Sequence, residues 1–595
     1  MYPPVVRTLS EHYRFKNIGG TSAGAIAAVA TAAAEYGRRH SDDPAPFERL
    51  GVLPAKLGEK KVLGGPTKLF SLFQPSPSCR RLFVVLTGSL NAESTWSRVA
   101  AVVFGFIKAY WPASIASTVL AAITFAYAGP LSALCCGVLA LIASIGLWVY
   151  RDVTRSLVAN DYGMCTGMTP KGSPDEALTP WLHALILGLA GRPLELPLTF
   201  GDLWDAPGFP PSWLTPPPGA DIRSIDLRMF TTNLSVGRPF LFPLTGETCR
   251  LFYVSDELGK YMPAEVMHWI DLLARPYAPN ADEPDRDPPV AAAPTGLKEL
   301  PASKDFPVLL AARASLSFPV LFSAIPLWAI DYDPPRGERG FKRCLFSDGG
   351  ISSNFPVHLF DGMLPQWPTF GVELEDKLPS RPNMIYLPQR YEEGYGERWT
   401  HFEDAPNAPA SRMGGFLSAI LNAMQNWNDN TLSRMPGVRD RIVRVRLNPD
   451  EGGMNLNLDA KIIRRVADRG AEAARALLAR FAPARDDPRP AIGWDEQRYV
   501  RLQVALKLLE RRFFDIALAL GGSQPHATAF AELIARGRSE VLPGSEGKLL
   551  SEEEIQAQDN GLHSMQAFSA SITRAAEASP FDAIPGPDLR VRPSL

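Results

Sequence analysis

From Tyr110 to Tyr150 the chain carries no charged residue, and this run limits what the rest can fold into. It divides into two apolar stretches, Tyr110–Ala128 and Leu131–Tyr150, parted by Gly129–Pro130. Each has close to the ~20 residues with which a helix crosses a hydrocarbon core of about 30 Å. Gly-Pro is a break that a helix interior does not hold. Tyr110 and Trp111 stand at one end and Trp148 and Tyr150 at the other, as an interfacial aromatic belt does. Arg98 and Lys108 precede the pair, and Arg151 and Arg155 follow it. The positive-inside rule then puts both flanks, and the domain they carry, on the cytoplasmic side. The expectation is a membrane protein held in the bilayer through 110–150. A hairpin buried in a soluble body and a re-entrant hairpin are the alternatives.

Such an insertion has to interrupt something, and the flanks carry two glycine turns of interest. In "NIGGTSAGAIAAVATAAAEYG" (Asn17–Gly37) a strand end meets a glycine turn bearing Ser22, followed by an alanine-rich helix. Gly20-Thr21-Ser22-Ala23-Gly24 matches Gly-x-Ser-x-Gly, the pattern that holds a serine on a strained strand-to-helix turn. The helix start aims its N–H groups and positive dipole end at the serine, where an oxyanion would form. Taken alone, the pattern is also that of a glycine-rich helix start. A phosphate-cradling loop does not fit, because no Gly-Lys-Ser/Thr follows. The second turn lies in "CLFSDGGISSNFPV" (Cys344–Val357), where an apolar strand ends at Asp348 and Gly349–Gly350 reverse the chain. Upstream, "ARASLSFPVLFSAIPL" (Ala312–Leu327) reads as a small-residue helix running into an apolar stretch.

With "RMFTTNLSVGRPFLFP" (Arg228–Pro243), these segments resemble, in order and context, the patatin-like phospholipase family. The resemblance covers about 2–100 and 155–447, with the hairpin as an insertion. It implies a three-layer α/β/α hydrolase domain and a Ser–Asp dyad without histidine. Ser22 would be the nucleophile and Asp348 its general base, with Gly20, Ala23, Gly24, Gly349 and Gly350 supporting the elbow and the oxyanion. Asn354 would fix the loop after the Asp-Gly-Gly turn. The implied reaction is hydrolysis of a carboxylic ester in a membrane lipid, with no cofactor and no metal. Two other readings stay open. One is a Ser-His-Asp esterase using His358, His401, His526 or His563. The other is a non-catalytic, membrane-anchored homologue. The family's glycine-rich oxyanion loop and the strand before it have no counterpart in "MYPPVVRTLSEHYRFKNIGG" (Met1–Gly20), where Val5–Tyr13 reads as a helix and Tyr13–Ile18 as a strand. The expectation is an upstream start, or a chain impaired as it stands, with an open sheet edge beside Ser22.

The expected division is 1–98 and 156–450 for the two parts of the hydrolase domain, 99–155 for the hairpin, and 451–595 for a helical C-terminal region with a loose tail from Ser579. A net charge of −2 argues against nucleic acid as a partner. The six cysteines lack metal-ligand spacing and fit free thiols in a reducing compartment. No basic segment followed by an apolar run opens the chain, so no cleaved secretory signal is expected.

Overall fold

In the computed structural model the described residues are all except 63–64, 91–94, 213, 245–249, 282–285, 379–380, 395–411, 414, 421–422, 425–432, 449, 453–455, 484–491, 522–527, 543–547 and 579–595. Cys249, His401, His526 and the tail from Ser579 therefore lie outside them, as does the side chain of Arg98.

The fold is mixed α/β. Its main sheet is built from β1 (Asn17–Gly20), β3 (Asp226–Asn233), β4 (Arg238–Phe242), β5 (Leu251–Val254), β6 (Arg275–Pro276), β7 (Leu297–Glu299), β9 (Ile325–Asp331) and β10 (Gly340–Asp348). The order is β1-β3-β10-β9-β5-β7-β6, with β4 also on β3. β1 runs parallel to β3, Gly20 opposite Met229, and β10 runs antiparallel to β3, Asp348 opposite Thr231. β3 thus stands between the strand that leads into the serine turn and the strand that ends at Asp348. It is buried on both faces, and the hydroxyls of its Thr231 and Thr232 are satisfied by the Ser347 and Asp348 carbonyls of β10. A short parallel pair joins β2 (Gly163–Cys165) to β8 (Val320–Phe322). A second sheet, β11-β13-β12, comprises β11 (Gly371–Asp376), β12 (Ile385–Tyr386) and β13 (Ile442–Leu447).

The alanine-rich helix Ala23–Ser41 buries Ala25, Ala28, Val29, Ala32 and Ala33 in the same core as Leu227, Met229, Phe242, Ile325, Leu327 and Phe346. Small side chains let this helix lie close to the sheet and to the helix Leu178–Ala190. The first helix is Tyr2–Ser10, earlier than the Val5–Tyr13 expected, and the strand follows at Asn17–Gly20 rather than Tyr13–Ile18. Pro3 and Pro4 occupy the first turn, where their missing N–H groups would lack helical partners anyway. Its Val5 and Leu9 pack with Ala473, Ala474, Leu477 and Phe481 of the helix Ala460–Phe481 and with Val443 and Val445 of β13. The first helix is thereby tied to a helix more than 400 positions further along the chain. A further long helix spans Ile492–Gly521, and Glu552–Glu577 opens with a Ser551–Glu554 capping box.

The apolar run forms a helix over Trp111–Arg151, broken at Gly129 (φ 81°, ψ 176°). The two arms, 111–128 and 130–151, fold back on each other. A Cβ built on Gly137 would lie 2.8 Å from Ala121 Cβ, and at the foot Tyr110 Oη donates to Asp152 Oδ2 at 3.0 Å. At 1.5 Å per residue the arms are roughly 27–33 Å long. Few of their residues are buried, among them Ala113, Ser117 and Ala133, and Tyr127 beside the turn is 89 % exposed. By length and composition this stretch can cross a membrane, and it is not a core element of a soluble body.

Candidate functional site

Ser22 lies between β1 and the helix Ala23–Ser41, at φ 55° and ψ −127°. Non-glycine residues adopt such positive φ angles seldom and under constraint. The constraint here is tight packing of the turn on itself. A Cβ on Gly20 would collide with the carbonyl of Gly24, so the strand can bend into the helix only with glycine at that point. Gly24 is different: a Cβ there would meet nothing within 4 Å, and its open face borders a cavity.

Asp348 ends β10 and is 3 % exposed. Ser22 Oγ donates to its Oδ2 at 2.6 Å, and the Gly350 N–H donates to its Oδ1 at 2.7 Å. A Cβ on Gly349 would run into the Phe230 carbonyl of β3, which explains a glycine immediately after the aspartate. Burial pushes the Asp348 carboxyl up to about 6, against the opposing pull of the hydrogen bonds from Ser22 and Gly350. The structure thus brings together two residues that are 326 positions apart in the chain.

Several further groups support the pair, and of these only Arg313 carried a signal in the sequence. The Ser22 N–H donates to Ser315 Oγ at 3.3 Å, and the Asp348 N–H to the Ser317 carbonyl at 3.0 Å. Both serines are fully buried at the end of the helix Val308–Ser315 and just past it. Arg313, also fully buried, donates to Ser317 Oγ (2.8 Å), the Thr166 carbonyl (2.9 Å) and the Ser323 carbonyl (3.1 Å). Thr231 and Thr232 of β3 donate to the carbonyls of Ser347 (2.7 Å) and Asp348 (2.9 Å). A cation inside the otherwise small and apolar "VLLAARAS" was the available clue to Arg313.

Asn354 acts through its backbone: its carbonyl accepts from Thr21 Oγ1 at 3.0 Å and ties the loop after the aspartate to the serine turn. Of potential oxyanion donors, Gly24 N–H is taken by the Thr21 carbonyl (2.8 Å) and Ala25 N–H by the Ser22 carbonyl (2.9 Å). Ala23 N–H stands at the helix start with no partner among the described residues. The His358 ring packs 5.8 Å from Phe230, and His563 bonds the Asp559 carbonyl on the exposed C-terminal helix. Neither Ser22 nor Asp348 is hydrogen-bonded to a histidine among the described residues. No cluster of histidine, cysteine and carboxylate side chains suited to a metal occurs among those residues.

Beside the serine turn is a cavity of about 510 Å³. Val5, Ile18, Thr21, Phe360, Phe370 and Val372 are among the side chains that line it. Among the described residues β1 pairs on one side only, with β3, and Asn17–Gly20 line this space together with Gly371 and Val372 of β11.

The chain is similar to a protein described as "RpoH suppressor" from Rhizobium meliloti (strain 1021), with 32% identity over 576 residues, 87% of this chain and 84% of that protein. No family model matches the chain.

Proposed function

The chain belongs to the family of the Rhizobium meliloti RpoH suppressor, and from the site it carries we propose that it is a membrane-held serine hydrolase cleaving acyl esters of lipids. The relative's name specifies no reaction, so the reading rests on the site. The observation that carries it is the 2.6 Å hydrogen bond from Ser22 Oγ to a buried Asp348 whose carboxyl is pushed up to about 6. A carboxylate of ordinary pKa, near 4, is a weak base at neutral pH; one near 6 takes a proton more readily while remaining mostly ionised at pH 7.

In the proposed cycle Ser22 Oγ attacks the ester carbonyl carbon as its proton passes to Asp348. The tetrahedral oxyanion collapses, the C–O bond to the leaving alcohol breaks, and that oxygen takes the proton from Asp348. Water then gives a proton to Asp348 and adds to the acyl-serine, and collapse releases the carboxylic acid and restores the Ser22 hydroxyl. The Ala23 N–H and the positive end of the helix Ala23–Ser41 would hold the oxyanion. No metal or organic cofactor enters these steps. The order of the serine and Asp-Gly-Gly motifs supports a three-layer fold of the patatin type for this domain. The exposed apolar arms support a hairpin anchor, with the hydrolase on the side of Lys108, Arg151 and Arg155.

A second reading, a lipid-binding homologue without turnover, draws support from the first turn of the helix after Ser22, where the Gly24 and Ala25 N–H groups are already taken by the Thr21 and Ser22 carbonyls. Hydrolysis of a short-chain ester by the detergent-solubilised full chain separates the two. Turnover abolished by both Ser22→Ala and Asp348→Asn supports the enzyme. No turnover, or turnover surviving either change, contradicts it.

A further inference from the structure

The foot of the hairpin is linked to the serine–aspartate pair by a short path of chain. After the second arm the backbone stays helical through Asp152–Leu157, then turns at Asp161 and Tyr162, both left-handed (φ 48° and 60°). It enters β2, where Gly163 lies opposite Val320 of β8. The turn before β8, Phe318-Pro319, begins immediately after Ser317, whose carbonyl accepts the Asp348 N–H. That turn faces outward: Phe318 is 38 % and Val320 50 % exposed, and Tyr162 beside them is 51 % exposed.

Val320 also has φ 68°. A β-branched residue in the left-handed region is an outlier, and such strain persists where the surroundings or a function demand it. A turn meant for water would place glycine or asparagine there. Val153 and Val158, on the stretch of chain between the hairpin foot and Tyr162, are exposed as well. At the foot itself the Arg81 guanidinium lies 4.5 Å from the Trp148 ring, and Lys108, Arg151 and Arg155 are exposed. Tryptophan and basic side chains together suit the headgroup level of an anionic leaflet.

We propose that Tyr162, Phe318 and Val320 form an apolar rim that dips into the leaflet entered by the hairpin, next to Ser22 and Asp348. The occupant of this surface is lipid. Where the hydrolase reading also holds, acyl chains reach Ser22 directly from the bilayer rather than through water; only that last consequence rests on the proposed function. A dozen residues of chain lead from the basic foot at Arg151 to β2, which pairs with β8.

The test is photocrosslinking of the full chain carrying Ser22→Ala, reconstituted in vesicles of phosphatidylethanolamine and phosphatidylglycerol with radiolabelled acyl chains. Benzoylphenylalanine is placed singly at 318, at 320, at 139 on the hairpin, and at 272, where an exposed leucine lies on the helix Ala264–Leu273. Lipid adducts at 318, 320 and 139 several-fold above those at 272 are expected. Adducts at 318 and 320 no higher than at 272, adducts to protein instead of lipid, or none at 139 overturn the proposal. The readout needs no turnover. Crosslinking of this variant together with no ester turnover by the chain that keeps Ser22 loses only the hydrolase reading, and turnover by that chain without crosslinking of the variant loses only the rim.

Discussion

At Asp348 the same burial that would make a better base also destabilises the folded state at neutral pH. The carboxyl stands near 6 in the folded chain and near its ordinary value of about 3.9 when unfolded. Below the lower value both states are protonated and the burial has no electrostatic penalty. As pH rises between the two, the unfolded chain ionises first, so stability falls, and it stays lower above pH 6. Asparagine does not titrate, and its amide can still accept from Gly350 N–H. Asp348→Asn should therefore remove activity while raising stability relative to the native chain. The gain should grow from nearly nothing at pH 4 to roughly 2–3 kcal/mol above pH 6. Denaturation of both proteins across that range measures it; a gain that shrinks as pH rises would contradict the assigned shift. Activity of the native chain should climb through pH 6 and then level off, because only the ionised aspartate can take the serine proton.

At the scale of the turn and its flanking strands, glycines that look equivalent in the motif have unequal roles. Gly20→Ala forces a methyl group against the Gly24 carbonyl, displacing the helix start on which Ser22 sits. Gly24→Ala adds a methyl group to open space near a helix N-terminus, where alanine is a better helix former than glycine. The first change should abolish ester turnover and lower the melting temperature, and the second should leave the fold intact with a melting temperature unchanged or slightly higher. Equal damage from both would show that the turn is held differently. This difference was not legible in "GTSAG", because it depends on where the backbone returns and not on the residue types. The hairpin was legible, since a long uncharged run with a Gly-Pro break is a local signal. So was the pairing of Ser22 with Asp348, each on its own glycine turn at a strand end. The roles of Arg313, Ser315 and Ser317 were not, because they lie in hydrogen bonds to backbone groups distant in sequence. The left-handed Val320 was equally hidden: valine gives no sign of a positive φ. The open edge of β1 was expected, but the cavity beside it is completed by the helix Tyr2–Ser10 and by β11, which no local pattern brings together.

On the scale of the whole molecule, the hairpin joins and leaves the α/β body through one foot, closed by Tyr110 and Asp152. An insertion that enters and exits at adjacent points can be removed with little effect on the sheet. The full chain should resist high-salt and carbonate extraction from membranes, because apolar burial rather than charge holds it. A chain shortened across 110–150 by a flexible linker should be extracted while keeping the cooperative unfolding of the body. Release of the intact chain by carbonate would show that the arms do not enter the bilayer. Whether Ser22 is a nucleophile activated by Asp348 is decided by its reaction with a fluorophosphonate, located by mass spectrometry of the full chain in detergent. A single adduct on Ser22 is expected, forming faster as pH rises through 6 and lost in Asp348→Asn. Absence of an adduct at Ser22, or one that forms equally well without the aspartate, would contradict it.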